Sequence, residues 1–410
     1  MPRARHARRA PRARRLLPAM LAVGVLALVG TLQLARPLPL PITHTVLPRS
    51  SKVPGVPSPV PWPAQGQGAI AVPALGMVLA SGTEQPVPVA SLTKIMTAYV
   101  VLRDHPLALR TQGPAVTISA SDQSEANAEA DADDSSVPVQ AGEVLSERQL
   151  LDGLLVQSAN NLADVLARWD AGSVATFVSK MNASAASLGM SETHYVDADG
   201  IDARSVSTAA DQLRVASAAM AIPSFAAVAA QPTITLPIAG TMTNYVRQVG
   251  SDGVVGVKSG FTQAAMGCLV LAAQRQIDGH QVLVMAAVTG QPGVDPLGAA
   301  ARATMPLIDA TAASLQEEPV TPAGGRVATI TMPWSSTVVA GTVAGSPSVA
   351  VWPGDTVRRS MRWTRLRAGA PAGTKLATME ITGGSEHLSV PVRSAGPIPG
   401  PSLAWRLEHF

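Results

Sequence analysis

Cysteine, aromatic residues and metal-binding histidine patterns are all scarce in this chain, and each scarcity excludes a class of protein. The single cysteine, Cys268, excludes a disulfide framework and a thiolate metal cluster, and we expect it to be an inert buried thiol. Aromatic residues make up only 3% of the sequence, so the core must consist of Ala, Val, Leu and Met. The seven histidines show no paired spacing, and we expect neither a metal nor a cofactor.

The net charge gives no support for a nucleic-acid partner. The formal charge is +3, but seven arginines and no acidic residue lie within residues 1–15, which leaves the rest of the chain at −4. The pI of 9.3 therefore describes a basic tail and not a basic surface. With 410 residues there is room for about two to three domains.

The first 68 residues predict an export and attachment segment. Residues 16–35 contain no charge and are long enough to span a bilayer, and the preceding arginines predict a cytoplasmic tail at residues 1–15. This segment is either a membrane anchor or a cleaved signal peptide, so the protein is predicted to be membrane-anchored or secreted. Residues 36–68 are rich in proline and predict an extended linker rather than a folded unit.

Two folded regions follow the linker. Residues 69–315 combine apolar helical patterns with strand patterns at both ends, which predicts an α+β fold, an antiparallel sheet with flanking helices. Residues 320–396 alternate with period two between Gly and Pro breaks, which predicts a small all-β domain. The arginines between Arg358 and Arg367 are either a solvated strand face or a docking patch for an anionic surface.

Residues 121–134 carry six acidic side chains. We interpret this stretch as a solvated loop, because the glycine and terminal glutamate of a calcium-binding loop are missing.

A serine and a lysine lie three residues apart at the start of an apolar helical pattern. Ser91 and Lys94 would therefore project from one helix face. The chain has only five lysines. A lysine, unlike an arginine, can lose its proton when it is desolvated and can then activate a serine nucleophile. His194 is the alternative base, but it occurs without a G-x-S-x-G elbow.

Two further motifs occur in order along the chain. Ser158-Ala159-Asn160 interrupts two apolar helical runs, although a simple helix–helix corner would also account for it. Lys258-Ser259-Gly260 lies within a predicted strand. Each motif alone is weak evidence, whereas the ordered set of three indicates a lysine-assisted serine enzyme.

With these motifs the chain resembles the serine penicillin-recognising enzymes, and most closely the D-alanyl-D-alanine carboxypeptidases of the low-molecular-weight penicillin-binding proteins. The family's first motif has the context Ala-Ser-x-Thr-Lys, as in residues 90–94, and its third the context of residues 256–262. Residues 190–209 resemble its turn after the second motif. The resemblance covers about residues 69–315 and implies a β-lactamase/transpeptidase-like fold, followed by a β-sandwich-like domain.

The resemblance implies specific catalytic roles. Ser91 would attack the penultimate D-alanine carbonyl of a peptidoglycan stem peptide, and Lys94 would accept its proton. Ser158 and Lys258 would relay a proton to the leaving D-alanine. β-Lactam antibiotics would act as covalent inhibitors at the same serine.

The resemblance also implies how the substrate is bound. Asn160 would contact the substrate amide and hold Lys94, and Ser259 and Thr262 would bind the terminal carboxylate beside Gly260. The backbone N–H groups of Ser91 and Phe261 would form the oxyanion hole.

Three features depart from the family pattern and leave alternative functions open. Ser259 replaces the usual threonine, Asn161 replaces a common aspartate, and the stretch before the second motif is acidic. A β-lactamase is disfavoured because Glu192 is the only glutamate between the second and third motifs. A transpeptidase on this scaffold and a non-catalytic wall-binding protein are the remaining alternatives.

Overall fold

The fold was obtained as a computed structural model that describes residues 13–82, 84–321, 325–384 and 386–409. Most of the predicted basic tail, residues 1–12, lies outside the described residues. Within these ranges the chain forms ten α-helices: α1 (Ala13–Ala35), α2 (Thr93–Asp104), α3 (Ala120–Asp131), α4 (Glu147–Val156), α5 (Asn160–Ala171), α6 (Val174–Ser187), α7 (Ala209–Met220), α8 (Pro223–Ala229), α9 (Pro296–Ser314) and α10 (Leu403–Glu408).

The same ranges contain twenty β-strands and two short 3₁₀ helices, Pro73–Leu75 and Ala90–Leu92. The strands are β1 (Ile42–Thr45), β2 (Ser50–Lys52), β3 (Gln67–Val72), β4 (Met77–Ala80), β5 (Val87–Pro88), β6 (Ala115–Thr117), β7 (Val144–Ser146), β8 (Val206–Ser207), β9 (Thr233–Leu236), β10 (Gly240–Thr243), β11 (Val254–Thr262), β12 (Met266–Ile277), β13 (His280–Gln291), β14 (Gln316–Pro319), β15 (Arg326–Met332), β16 (Ser335–Val343), β17 (Ser348–Val351), β18 (Thr356–Trp363), β19 (Lys375–Gly383) and β20 (Glu386–Ser394).

A five-stranded antiparallel sheet organises the first folded region, in the order β11-β12-β13-β3-β4. Its two faces are separated by the period of two along each strand. Val270 and Ala272 face a core shared with α2, α4, α5 and α7, whereas Leu269 and Leu271 face a second core closed by α9. The predicted α+β class, with helices flanking an antiparallel sheet, is confirmed.

Strand β11 lies at one edge of this sheet, where it is hydrogen-bonded to β12 on one side only. On its other side it lies against the 3₁₀ turn Ala90–Leu92. We call the boundary between this sheet edge and the helical wall the cleft. Cys268, in β12, is buried as predicted, and burial raises its pKa to about 12.

A seven-stranded antiparallel sheet forms the C-terminal region, in the order β1-β15-β16-β20-β19-β18-β2. Its two outer strands come from residues 36–68, so the expectation that this stretch is only a spacer is wrong. β1 pairs with β15, and β2 pairs with β18. Both strands lie in proline-free stretches between the prolines, where the N–H groups remain able to pair with the open edges of the sheet.

Residues 121–131 of the acidic stretch lie in helix α3, whereas we expected a solvated loop. Ser119 caps α3 through a capping box with Asp122, which is a helix-start signal already present in the sequence. Arg168 of α5 pairs with Asp122 and Glu125, each at 2.7 Å, so part of the charge is neutralised against a neighbouring helix.

Helix α1 exposes apolar side chains between Met20 and Leu32; Met20, Leu21 and Leu26 are each more than 70% exposed. Among the described helices, none is by itself long and apolar enough to cross a membrane; the bent pair α7 and α8 alone meets that test, by length and composition.

Candidate active site

The nucleophile candidate lies in the 3₁₀ turn that leads into α2. Ala90 has a left-handed φ of 48°, which is uncommon for a residue with a side chain, and it turns the chain into the helix. Ser91 and Lys94 follow within one turn, and the Lys94 Nζ atom lies 3.0 Å from the Ser91 Oγ atom. Ser91 keeps 9% exposure, whereas Lys94 is fully buried. A nucleophile open to the cleft is thus backed by a buried amine.

Lys94 is held by three oxygen acceptors. Besides Ser91, its Nζ atom donates to the Asn160 Oδ1 atom at 2.6 Å and to the Asp199 carbonyl oxygen at 2.7 Å. Burial lowers the Lys94 pKa, although the nearby carboxylates of Asp199, Asp197, Glu129 and Asp164 oppose that shift. A fixed lysine with a lowered pKa accepts a proton from a neighbouring hydroxyl only when it is uncharged, and burial favours that uncharged form.

The second motif forms the corner between α4 and α5. Ser158 has a left-handed φ of 61° and is 3% exposed. Within the described residues its hydroxyl makes no hydrogen bond, so it is available to a bound molecule. Asn160 begins α5, and its N–H donates to the Ser135 carbonyl oxygen at 2.8 Å. Strained backbone of this kind persists only where the surrounding structure enforces it, and it is common at active sites.

Asn161 connects this corner to α3. Its N–H donates to the Glu129 Oε2 atom at 2.9 Å, and its side-chain amide exchanges two hydrogen bonds with the backbone of Val137. Burial raises the Glu129 pKa to about 7, with further contributions from Asp199 and Asp164. Sequence reasoning missed Glu129 because it assigned this stretch to a solvated loop.

The third motif lies on the edge strand β11. Lys258 is fully buried, and its Nζ atom donates to the Ser259 carbonyl oxygen at 2.8 Å. Its pKa is lowered well below the usual value, mainly by burial and also by the charge of Lys94. The two lysines therefore interact electrostatically across the cleft, one from the helical wall and one from the sheet.

Gly260 places the sheet edge directly against the nucleophile. A Cβ atom at this position would lie 2.9 Å from the Ser91 nitrogen, so only glycine fits without displacement. Phe261 is 48% exposed, and Thr262 is half-buried with its hydroxyl accepting a hydrogen bond from the Ala265 N–H at 3.1 Å. The predicted residues of the third motif thus line one side of the cleft.

A tight turn at residues 197–200 supports the nucleophile from behind. Gly200 has a φ of 85°, and a Cβ atom there would lie 2.0 Å from the Ala90 carbonyl oxygen. The Thr97 hydroxyl donates to the Ala198 carbonyl oxygen at 2.6 Å and docks the turn on α2. Burial, together with Asp199, raises the Asp197 pKa to about 6. The Asp-Ala-Asp-Gly pattern signals the turn but not its contact with Lys94.

His194, the alternative base, lies elsewhere. Its backbone pairs with that of Val206, and its side chain is exposed. None of its described contacts involves Ser91, whose hydroxyl is instead hydrogen-bonded to Lys94.

Comparison with known proteins agrees with this geometry. The family model described as D-alanyl-D-alanine carboxypeptidase, peptidase S11, matches residues 65–290, which is more than half of the chain. The chain belongs to this family. It is accordingly a serine peptidase, a hydrolase, and the resemblance deduced from the three motifs is confirmed.

Individual relatives show the range of the family. The chain is 37% identical over 224 residues to D-alanyl-D-alanine carboxypeptidase DacB2 of Mycobacterium tuberculosis, covering 52% of this chain and 71% of that protein. It is 34% identical over 192 residues to a D-alanyl-D-alanine endopeptidase of Pseudomonas aeruginosa, covering 45% of this chain and 59% of that relative. The chain thus spans less than two thirds of the endopeptidase.

Solved structures give the same fold. The Streptomyces K15 DD-transpeptidase has a TM-score of 0.54 at 27% identity, over 62% of this chain and 100% of that one. A peptidoglycan synthesis regulatory factor of Streptococcus pneumoniae has a TM-score of 0.62 at 20% identity, over 82% of this chain and 99% of that one. This second likeness shows the fold alone, and it extends beyond the region that the family model matches.

Proposed function

We propose that this protein is a D-alanyl-D-alanine carboxypeptidase that removes the terminal D-alanine of peptidoglycan stem pentapeptides through an acyl-enzyme on Ser91. The observation that carries the proposal is the 3.0 Å contact between the Lys94 Nζ atom and the Ser91 Oγ atom. A serine hydroxyl is a weak nucleophile without a base, and Lys94 is a buried amine with a lowered pKa at the required distance.

Acylation begins when the Ser91 Oγ atom bonds to the carbonyl carbon of the penultimate D-alanine. Lys94 takes the hydroxyl proton as that bond forms. The negative charge moves to the carbonyl oxygen, which the N–H groups of Ser91 and Phe261 stabilise. The C–N bond then breaks, and Ser158 and Lys258 relay the proton that Lys94 took to the nitrogen of the leaving D-alanine. Water attacks the resulting ester, which releases the shortened peptide and restores the Ser91 hydroxyl.

The sheet side of the cleft selects the substrate end. The hydroxyls of Ser259 and Thr262 bind the terminal carboxylate beside Gly260, and that carboxylate favours the charged form of the buried Lys258. Asn160, which already holds Lys94, contacts the substrate amide with its remaining amide group. Hydroxyl donors are common to serine and threonine, so Ser259 keeps the chemistry of the family motif.

Labelling with a fluorescent penicillin tests the nucleophile. We expect covalent label on the wild-type protein, no label on Ser91→Ala, and wild-type labelling of Ser346→Ala, which removes an exposed serine in the C-terminal region. Label that survives in Ser91→Ala would show that another residue is acylated.

The substrate is tested separately, by D-alanine release from a synthetic pentapeptide ending in D-alanyl-D-alanine. We expect release with the wild-type protein and at least a thousandfold slower release with Ser91→Ala, since removal of the nucleophile leaves only residual binding effects. A cross-linked muropeptide and an acceptor amine are run in parallel. Preferential cleavage of the cross-link, or transfer to the amine, would replace carboxypeptidase by endopeptidase or transpeptidase activity.

The substrate class places the peptidase region outside the cytoplasm. We further propose that the apolar segment 16–35 attaches the protein to the membrane, that residues 69–315 form the peptidase domain, and that residues 320–396 form the C-terminal domain. The apolar side chains exposed along α1 support the attachment. N-terminal sequencing of the exported protein tests it, because a start after residue 35 would show that the segment is a cleaved signal.

A further inference from the structure

Helix α1 is joined to the C-terminal region through α10. The Gln33 side-chain amide donates to the His409 carbonyl oxygen at 2.6 Å, and the Arg406 guanidinium donates to the Leu34 carbonyl oxygen. The Trp405 ring packs edge-on against Trp334, with ring centroids 5.9 Å apart. The apolar helix therefore ends on the C-terminal region, where α10 contacts its last turn.

A cavity of about 720 Å³ lies at this junction. Four arginines line it, Arg36, Arg365, Arg367 and Arg406, and its lining contains no aspartate or glutamate. Within the described ranges none of the four forms an ion pair, and the guanidinium groups of Arg36, Arg365 and Arg367 make no hydrogen bond. Guanidinium groups that lack an ion pair and belong to residues around one cavity are suited to a phosphate or carboxylate anion.

The position of the cavity, at the end of α1, indicates a lipid headgroup as the source of that anion. It adjoins the C-terminal end of α1, whose exposed apolar side chains need a hydrocarbon environment. When α1 lies in a bilayer, its last turn and the four arginines come to the depth of the lipid headgroups. Trp334 lines the same cavity, and tryptophan is enriched at that depth. Arginine near such a surface is attracted to anionic lipids.

We propose that this cavity binds the headgroup phosphate of an anionic phospholipid and so docks the C-terminal region on the membrane surface. The proposal rests on the membrane attachment of α1 and is independent of the catalytic assignments. The proposal also gives a role to Arg365 and Arg367, which line the cavity. The sequence allowed either a solvated face or a docking patch for the arginines between Arg358 and Arg367.

Native mass spectrometry of the full chain in detergent tests the proposal. Phosphatidylglycerol and phosphatidylcholine with the same acyl chains are added at equal concentrations, and the retained lipid is counted. We expect the wild type to prefer phosphatidylglycerol, and the variant Arg365→Gln/Arg367→Gln to lose that preference by about tenfold or more. The control Arg326→Gln/Arg358→Gln removes the same charge from exposed positions of the same sheet outside the cavity, and it should behave as wild type.

Three outcomes would overturn the proposal. They are equal retention of the two lipids by the wild type, unchanged preference in the Arg365/Arg367 variant, and displacement of phosphatidylglycerol by soluble poly(glycerol phosphate) at equal phosphate concentration. The last result would identify a wall polymer as the anion. Fluorescent penicillin should label the variant at the wild-type rate, which shows that the peptidase site is folded and separates this test from that of the proposed activity.

Discussion

Each wall of the cleft carries one buried lysine, but the two lysines differ in their hydrogen-bond acceptors and in the charges near them. On the helical wall, Lys94 is surrounded by three oxygen acceptors, and four carboxylates oppose the loss of its charge. On the sheet wall, Lys258 has one described acceptor, the Ser259 carbonyl, and the nearby charge adds to the effect of burial. Both lysines are desolvated, but Lys94 is fixed by three acceptors and Lys258 by one.

This difference suits two separate tasks. A general base must keep a constant distance from the nucleophile, which the acceptors around Lys94 provide. Burial disfavours the charged form of Lys258, and an incoming anion favours that form again because it supplies the missing partner. The helical wall is thus prepared before substrate arrives, and the sheet wall is completed by the substrate's own carboxylate.

The role of Lys94 as the general base is tested by a substitution that keeps a positive charge at this position but cannot release a proton. Lys94→Arg cannot act as a base, since a guanidinium does not deprotonate in proteins. We expect acylation by fluorescent penicillin to slow by about a thousandfold or more. Lys180→Arg, a change at a partly exposed ion pair, serves as the control. Near-wild-type labelling of Lys94→Arg would show that another group takes the proton.

The sheet wall is tested by removing its cation. Lys258→Ala should lower kcat/KM for a pentapeptide with a free C-terminus by about a hundredfold, the effect of losing a charged hydrogen-bond partner. The same peptide with an amidated C-terminus should lose less, because it has no carboxylate to bind and only the proton relay is affected. The exposed Lys375 provides the control variant Lys375→Ala. Equal losses on both peptides would assign Lys258 to proton transfer alone.

The contrast between the walls also marks the limits of prediction from sequence. The spacing of Ser91 and Lys94, the order of the three motifs and the strand that carries the third motif were all accessible, because each depends on local period or on a contiguous pattern. The third acceptor of Lys94 was not. It is the backbone carbonyl of Asp199, and a carbonyl is common to every residue, so only the folded path of the chain reveals it.

Non-local pairing explains the two errors in the fold. Residues 42–45 and 50–52 contain only short strands among prolines, and they become ordered by pairing with strands more than 280 residues away, Ile42 with Thr331 for instance. Helix α3 was missed for a different reason. Its capping box was visible at Ser119, but its charges indicated a loop until Arg168, from another helix, supplied their partner.

The turn at residues 197–200, which packs behind the helical wall, is tested by a smaller change. Gly200→Ala would place a Cβ atom 2.0 Å from the Ala90 carbonyl oxygen, whereas Gly172, also left-handed at φ 77°, has nothing within 4 Å. Both variants incur the strain of a left-handed alanine, about 1 to 2 kcal/mol. We expect Gly200→Ala to cost about 2 kcal/mol more and to slow penicillin labelling, and Gly172→Ala to label normally. Equal stability and labelling would show that the turn does not position Ser91.

The smallest expected effect concerns the carboxylates that oppose the lowering of the Lys94 pKa. Glu129 has a folded pKa of about 7, above its ordinary 4.5, because burial disfavours its charged form and Asp164 and Asp199 lie nearby. A raised pKa contributes stability that is complete below pH 4.5 and is lost as the pH rises through 7. Glu129→Gln keeps an acceptor for the Asn161 N–H without that cost.

Thermal unfolding of Glu129→Gln at two pH values tests whether the charge of Glu129 destabilises the folded protein. At pH 5 the variant should match the wild type, whose Glu129 is already neutral. At pH 8 it should be more stable by about 1 kcal/mol or less, since partial exposure screens the charge. Glu192→Gln, at an exposed carboxylate, should show no such pH dependence. A variant that is less stable than wild type at pH 8 would mean that the attraction between Glu129 and Lys94 outweighs burial, and that the carboxylates hold the helical wall together.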